Sequence, residues 1–224
     1  MPGTLTIFAT QDTLSTSANL SDDWNTLRDG GNLQVNIPSA VSSPAAIAAT
    51  KVISGRTIIF GINRSFFEFD TSSITHVPKE ATIFIYGYSF GNADISCCRG
   101  FWADGGAPSW GGIYGYVQGG SDGSGGGDQN SNVTHYASET TSWTTSGYNQ
   151  ITFNQQAKVD MIANDRFKIA LLEYDNDLRD REPSGPSAAL NKSGLFYSEY
   201  AGTTSDPKIK VVTQDDSVFF GANF

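Results

Sequence analysis

Three carboxylates at alternate positions, Glu173, Asp175 and Asp177, come nearest in type and spacing to metal chemistry. With a backbone carbonyl they offer hard oxygen ligands of the kind calcium takes. Their spacing is not that of an EF-hand loop, and Arg179 and Arg181 supply counter-charges, so an ion-paired or solvated loop is the competing reading. No other cofactor is expected. Glycosidic chemistry would need two carboxyls at a fixed separation across a cleft. Glu68, Glu173, Asp175 and Glu199 are candidates, but one-dimensional spacing sets no such separation.

His76 and His135 are the only histidines, and neither belongs to a His-x-His, His-Glu-x-x-His or Gly-x-Ser-x-Gly pattern. Cys97 and Cys98 are the only cysteines. Adjacent cysteines close a strained ring if they pair, and two thiols do not make a zinc site. They read as reduced residues at a strand end, with a redox pair or an intermolecular disulfide as the alternatives. Cys98 with His135 would be a nucleophile and base only if the fold joins them. The expectation is a chain without enzymatic activity.

Aromatic residues are the stronger candidates for binding. Trp102, Trp110, Tyr114 and Tyr116 stand in a glycine-rich excursion over residues 100–132, with Asp104 and Gln118 nearby. Flat rings stack on sugar faces while polar neighbours bond the hydroxyls, so a glycan is one expected ligand; loop anchors or subunit contacts are the other reading. The glycines lack the Gly-x-x-x-x-Gly-Lys-Ser/Thr pattern and a βαβ setting, which argues against a nucleotide site. Phe219, Phe220 and Phe224 cluster in the tail, residues 213–224, and would dock on a neighbouring subunit or on the chain's own sandwich.

The elements that must position these residues read as short strands. The chain has 224 residues, enough for one β-sandwich domain with large loops and a full core. Strands are expected at Thr4–Thr10, Asn32–Ile37, Lys51–Ile62, Arg64–Asp70 and Ala81–Tyr88, then at Ser142–Ser146, around Ile151, and at Phe167–Tyr174, Gly194–Tyr200 and Pro207–Thr213. Residues 39–50 read as a short helix or extended loop, and Ser21–Trp24 as a polar turn with one large anchor. In residues 81–88, Ile83, Ile85 and Gly87 face one way while Phe84, Tyr86 and Tyr88 face the other; one face would meet the opposing sheet and the other a loop, another subunit or a ligand. One helix is expected over Gln155–Ile162, with Asn154 as its N-cap. Many short strands with at most one or two short helices predict an all-β, jelly-roll sandwich spanning residues 1–224.

A net charge of −9, from 23 acidic and 14 basic residues, opposes nucleic-acid phosphates. Lys208 and Lys210 alternate on the last strand and read as a solvated face. Residues 1–4 have neither the basic start nor the apolar core of a secretion signal, and no stretch has the length to cross a bilayer.

Two segments carry a resemblance. Residues 64–74, Arg-Ser-Phe-Phe-Glu-Phe-Asp-Thr-Ser-Ser-Ile, followed by Pro78 and by Ala-Thr-Ile-Phe-Ile-Tyr at 81–86, resemble the Phe-Asp-Thr-Ser-Ser-Ile stretch of DNRLRE-type jelly-roll domains and related carbohydrate-binding modules. Residues 167–172 and 197–211 are similar to that family's closing element, with Glu199, Gly202-Thr203, Pro207 and an alternating last strand in order. The chain departs from a minimal module by its insertion between Cys98 and Asn132 and by its tail. From the residues themselves, Asp70 and Ser72 cap a turn, Arg64 and Glu199 pair, and Pro207 sets entry into the last strand.

Such domains occur in bacterial surface proteins and tailed-phage structural proteins. The resemblance therefore implies a virion protein assembled in the host cytoplasm, a capsid decoration or cement protein. It would form a homo-oligomer, taken as a trimer, and contact other virion proteins. A carbohydrate- or receptor-binding module is the alternative.

Overall fold

Period-two alternation shapes the strands of the computed structural model, which describes residues 3–19, 24–28, 34–36, 45–54, 56–104, 127–184, 189–198 and 203–213. Among these residues ten strands form: β1 (Thr4–Asn19), β2 (Gln34–Asn36), β3 (Ala45–Ser54), β4 (Thr57–Asp70), β5 (Glu80–Gly91), β6 (Ile95–Arg99), β7 (Tyr148–Thr152), β8 (Arg166–Glu173), β9 (Ala189–Leu195) and β10 (Lys208–Val212). Helix α1 is Trp24–Arg28 and α2 is Gln155–Ala163.

All pairings are antiparallel and make two layers. In the first sheet, β10 lies between the start of β1 and the start of β5, and β7 flanks β5. In the second, long β4 has β1 on one edge, while β3 and β8 divide the other; β2, β9 and β6 extend from these. Strands β1 and β5 pass from one sheet to the other, with register shifts at Ala9/Gln11 and between Gly87 and Gly91. Irregularities of this kind bend a strand and let it change partners.

The fold is an all-β sandwich. Its core joins Ile7, Ile83, Ile85, Ile151, Ile209 and Val211 of the first sheet to Phe67, Phe69, Ile95, Phe167, Ile169 and Leu171 of the second. Burying each such side chain contributes about 1.5–3 kcal/mol. Ala157 and Met161 bring α2 onto this core. Asn154 caps that helix as expected, its side chain accepting from the Ala157 N–H at 3.0 Å.

Several expected boundaries move. The first strand runs on to Asn19, because pairing with β4 continues to Asn19 opposite Phe60. The strand expected over Lys51–Ile62 is two, with the chain reversing where Ser54 lies opposite Thr57. Ala45–Thr50 belongs to β3, and Trp24 opens a short helix rather than standing in a turn. Residues 142–146 form no strand; they cross over β5, and a Cβ on Gly87 would sit 1.8 Å from the Thr144 carbonyl oxygen. Trp143 fastens this crossing by donating its indole N–H to the Gly194 carbonyl at 2.9 Å. The turn after β4 is as expected, with Ser72 donating to Asp70 from both its backbone N–H (3.1 Å) and its hydroxyl (2.6 Å).

Candidate functional site

The three carboxylates read as metal ligands sit at the end of β8 and in the wide π-type turn Tyr174–Leu178. Glu173 is fully buried, and its carboxylate accepts the backbone N–H groups of Asp175, Asn176 and Asp177 at 3.2, 2.6 and 3.0 Å. Burial raises its pKa to about 7 against the pull of those N–H groups, and the Asp177 charge adds to the rise. Both oxygens of buried Asp177 take a forked pair from Arg64, at 2.8 Å from Nε and 2.7 Å from Nη2. Buried Arg28 donates to the carbonyls of Asp177, Leu178 and Gly127. Glu173 thus caps the turn while Asp177 and Arg64 form a charged lock, and Asp175 is half-buried beside them. Among the described residues no three His, Cys, Asp or Glu side chains stand together as metal ligands. Arg64 is held by Asp177 across 113 positions, while Glu199, its expected partner, lies outside the described residues.

Cys98 and His135 do come together. They face each other across a bridge between β6 and the 134–136 segment, with Sγ 3.9 Å from Nδ1 and the Ser96 hydroxyl 3.2 Å from the same nitrogen. The imidazole Nε2 donates to the Asn130 carbonyl at 2.8 Å, leaving Nδ1 as the acceptor. Cys98 is buried, and burial is the main cause that pushes its thiol up to about 12, so it carries no thiolate at neutral pH. Cys97 is also buried, and burial raises its thiol well above the usual range. The two are free and occupy the middle of β6, not a strand end.

Of the aromatic candidates, Trp102 is described. Trp110, Tyr114, Tyr116, Phe219, Phe220 and Phe224 lie outside the described residues, as does Gln118. The Trp102 ring meets Phe66 edge-on at 5.7 Å and lies over Gly100, where a Cβ would come within 2.3 Å of it. Lys168 donates to the Trp102 carbonyl at 2.7 Å and to the Asp104 carboxylate. Gly100, Trp102, Asp104 and Lys168, with Arg99, Phe101 and Arg166, line a cleft of about 300 Å³.

A second candidate surface is the outer face of the first sheet. Alternation sends Phe8, Phe84, Tyr86, Tyr148, Lys208 and Lys210 outward, and the end of β5 adds Tyr88 and Phe90. Phe8, Tyr88 and Phe90 are 47%, 44% and 38% exposed. The two lysines are not merely solvated: Lys208 lies 4.1 Å from the Tyr148 ring centroid and Lys210 4.8 Å from that of Phe84. Lys192 covers Phe90 in the same way at 4.2 Å. Alternation divided β5 into an isoleucine face and an aromatic face, and packing of Ile83 and Ile85 in the core turns the aromatic one outward. Phe8 and Tyr148 join it through pairings that local sequence does not announce.

The fold and these surfaces define an antiparallel β-sandwich with an aromatic face and a polar-lined cleft. No family model matches the chain, and no curated protein matches it in sequence.

Proposed function

We propose that the chain is a non-enzymatic structural subunit of a tailed-phage virion, of the capsid-decoration or cement kind, which associates through the outer face of its first sheet. The observation that carries this reading is the exposure of Phe8, Tyr88 and Phe90 around Phe84, Tyr86 and Tyr148. An aromatic patch of this kind, rimmed by cations, is costly to leave in water and is typical of protein contacts. The resemblance of residues 64–86 and 197–211 to DNRLRE-type domains supplies the virion setting.

Ring geometry favours a protein contact over a glycan on this face. Tyr86 and Phe84 meet Tyr148 at interplanar angles of 78° and 81°, so no broad coplanar platform is presented to a pyranose. The Tyr148 hydroxyl is already used within the chain, donating to the Thr204 carbonyl at 2.7 Å and accepting from Lys208 at 2.9 Å.

Sedimentation velocity of the chain over a wide concentration range tests the proposal. Self-association into a closed oligomer, a trimer on this reading, is expected, and the double variant Phe8→Ser/Tyr88→Ser should remain monomeric. A wild-type chain that stays monomeric throughout overturns the docking face. Saturable binding of an oligosaccharide, lost in the same variant, would put the glycan reading in its place.

A further inference from the structure

The cleft beside Trp102 belongs to the second sheet and is independent of the aromatic face. Its notable feature is two arginines with unspent donors. A guanidinium carries five N–H groups. Arg64 commits a fork of them to Asp177, and Arg28 caps three carbonyls. By contrast, Arg99 approaches Asp160 at 3.4 Å, and that oxygen already accepts the Tyr136 hydroxyl at 2.8 Å. Arg166 makes long contacts to the Thr10 hydroxyl at 3.5 Å and Glu68 at 3.6 Å. It stands opposite Asp70 and near enough to Asp104 that, after the hydrogen bonds from Ser72 and Lys168, its charge helps to lower both carboxyl pKa values, without a fork to either. The Arg99 and Arg166 side chains are 28% and 40% exposed, and both line the cleft.

We propose that this cleft binds a single carboxylate carried on a flat apolar group, with Arg99 and Arg166 taking the carboxylate and Phe101 and Trp102 flanking the apolar part. Planar N–H forks match carboxylate geometry, and aromatic neighbours suit a ring. Phe101, 63% exposed, offers its surface to such a group. The volume of about 300 Å³ fits one ring and its acid, not a long oligomer. Asp104 and Asp165 line the same cleft and disfavour a phosphate dianion, while Lys168 neutralises Asp104. The ligand is therefore a monoanion, either a free aromatic acid or an acidic peptide residue next to an aromatic one.

Amide NMR titration of the full chain with phenylacetate and with acetyl-Asp-Phe-amide tests the site, using phenylacetamide and acetyl-Asn-Phe-amide as neutral counterparts. Saturable shifts are expected at Arg99, Phe101, Trp102, Arg166 and Lys168, with both acids at least about tenfold tighter than their amides. Arg166→Gln should weaken the acids by a similar factor, and Asp104→Asn should tighten them by removing a like charge. The tighter of the two acids identifies the source of the carboxylate. Equal binding of acids and amides, shifts confined to other regions, or no shifts overturns the site. The comparison of acids with amides is made on the wild-type chain, so it stands even if Arg166→Gln lowers the melting temperature.

Discussion

The outer faces of the two sheets contrast. Over β4 and β8 of the second sheet, apolar side chains that point away from the sandwich core are covered by the chain itself, while Val52 and Ile53 near the end of β3 stay exposed. Trp24 and Leu27 of α1 pack with Phe60 and Ile62, while Val133 and Leu178 pack with Phe66, Cys98, Ala170 and Leu172. The Arg64–Asp177 and Arg28 contacts fasten that cover beneath the surface. On the first sheet and the adjoining end of β5, Phe8, Tyr88 and Phe90 remain exposed. Amphipathic alternation produced both faces. Among the described residues the buried Arg64–Asp177 lock belongs to the second sheet, whose cover opens at the Trp102 cleft, whereas the aromatic row of the first sheet is half-buried to exposed along its length.

The largest test of this contrast removes the lock. Asp177→Ala leaves Arg64 buried without its forked partner and should cost about 3–5 kcal/mol in urea unfolding. A loss below about 1 kcal/mol would mean that the cover does not depend on the pair.

Glu173 gives a pH-dependent version. Its folded pKa, near 7, lies above the ordinary 4.5, so the folded state holds the proton longer than the unfolded chain does. The contribution is fully present below about pH 4.5 and is lost as pH rises through about 7, a decline on the order of 3 kcal/mol. Glu173→Gln should flatten unfolding midpoints measured between pH 5 and 8. Identical slopes in variant and wild type would remove Glu173 from the account.

The smallest stability effect belongs to the exposed face. Tyr88→Ser should change unfolding free energy by about 1 kcal/mol, the order of its edge-on contact with Phe196 at 5.0 Å, because the ring is 44% exposed, although it removes a contact surface. A loss of several kcal/mol would show that the face is structural, erasing the contrast between the sheets.

Much of the scaffold was legible from local pattern. Ile83 and Ile85 alternate with Phe84 and Tyr86, which was enough to place β5 and divide its faces. Asn154 before Gln155 marked the start of α2, and Asp70 with Ser72 marked the turn after β4. The site was less legible. Glu173 and Asp177 read as candidate calcium ligands, and their alternation did not announce that Glu173 accepts three backbone N–H groups or that Asp177 takes a fork from Arg64.

What the sequence determined by itself was the placement of β4, β5, β8 and β10, the capped helix, the β4 turn and the division of β5 into an isoleucine face and an aromatic face, since each depends on residues within a few positions. Tertiary structure decided that Arg64 meets Asp177 across 113 positions, that residues 142–146 cross a sheet instead of joining it, and that Arg99 and Arg166 line one cleft. Those outcomes depend on strand register and close packing between distant segments, where a side chain's partner is set by the sheet rather than by its neighbours in the chain.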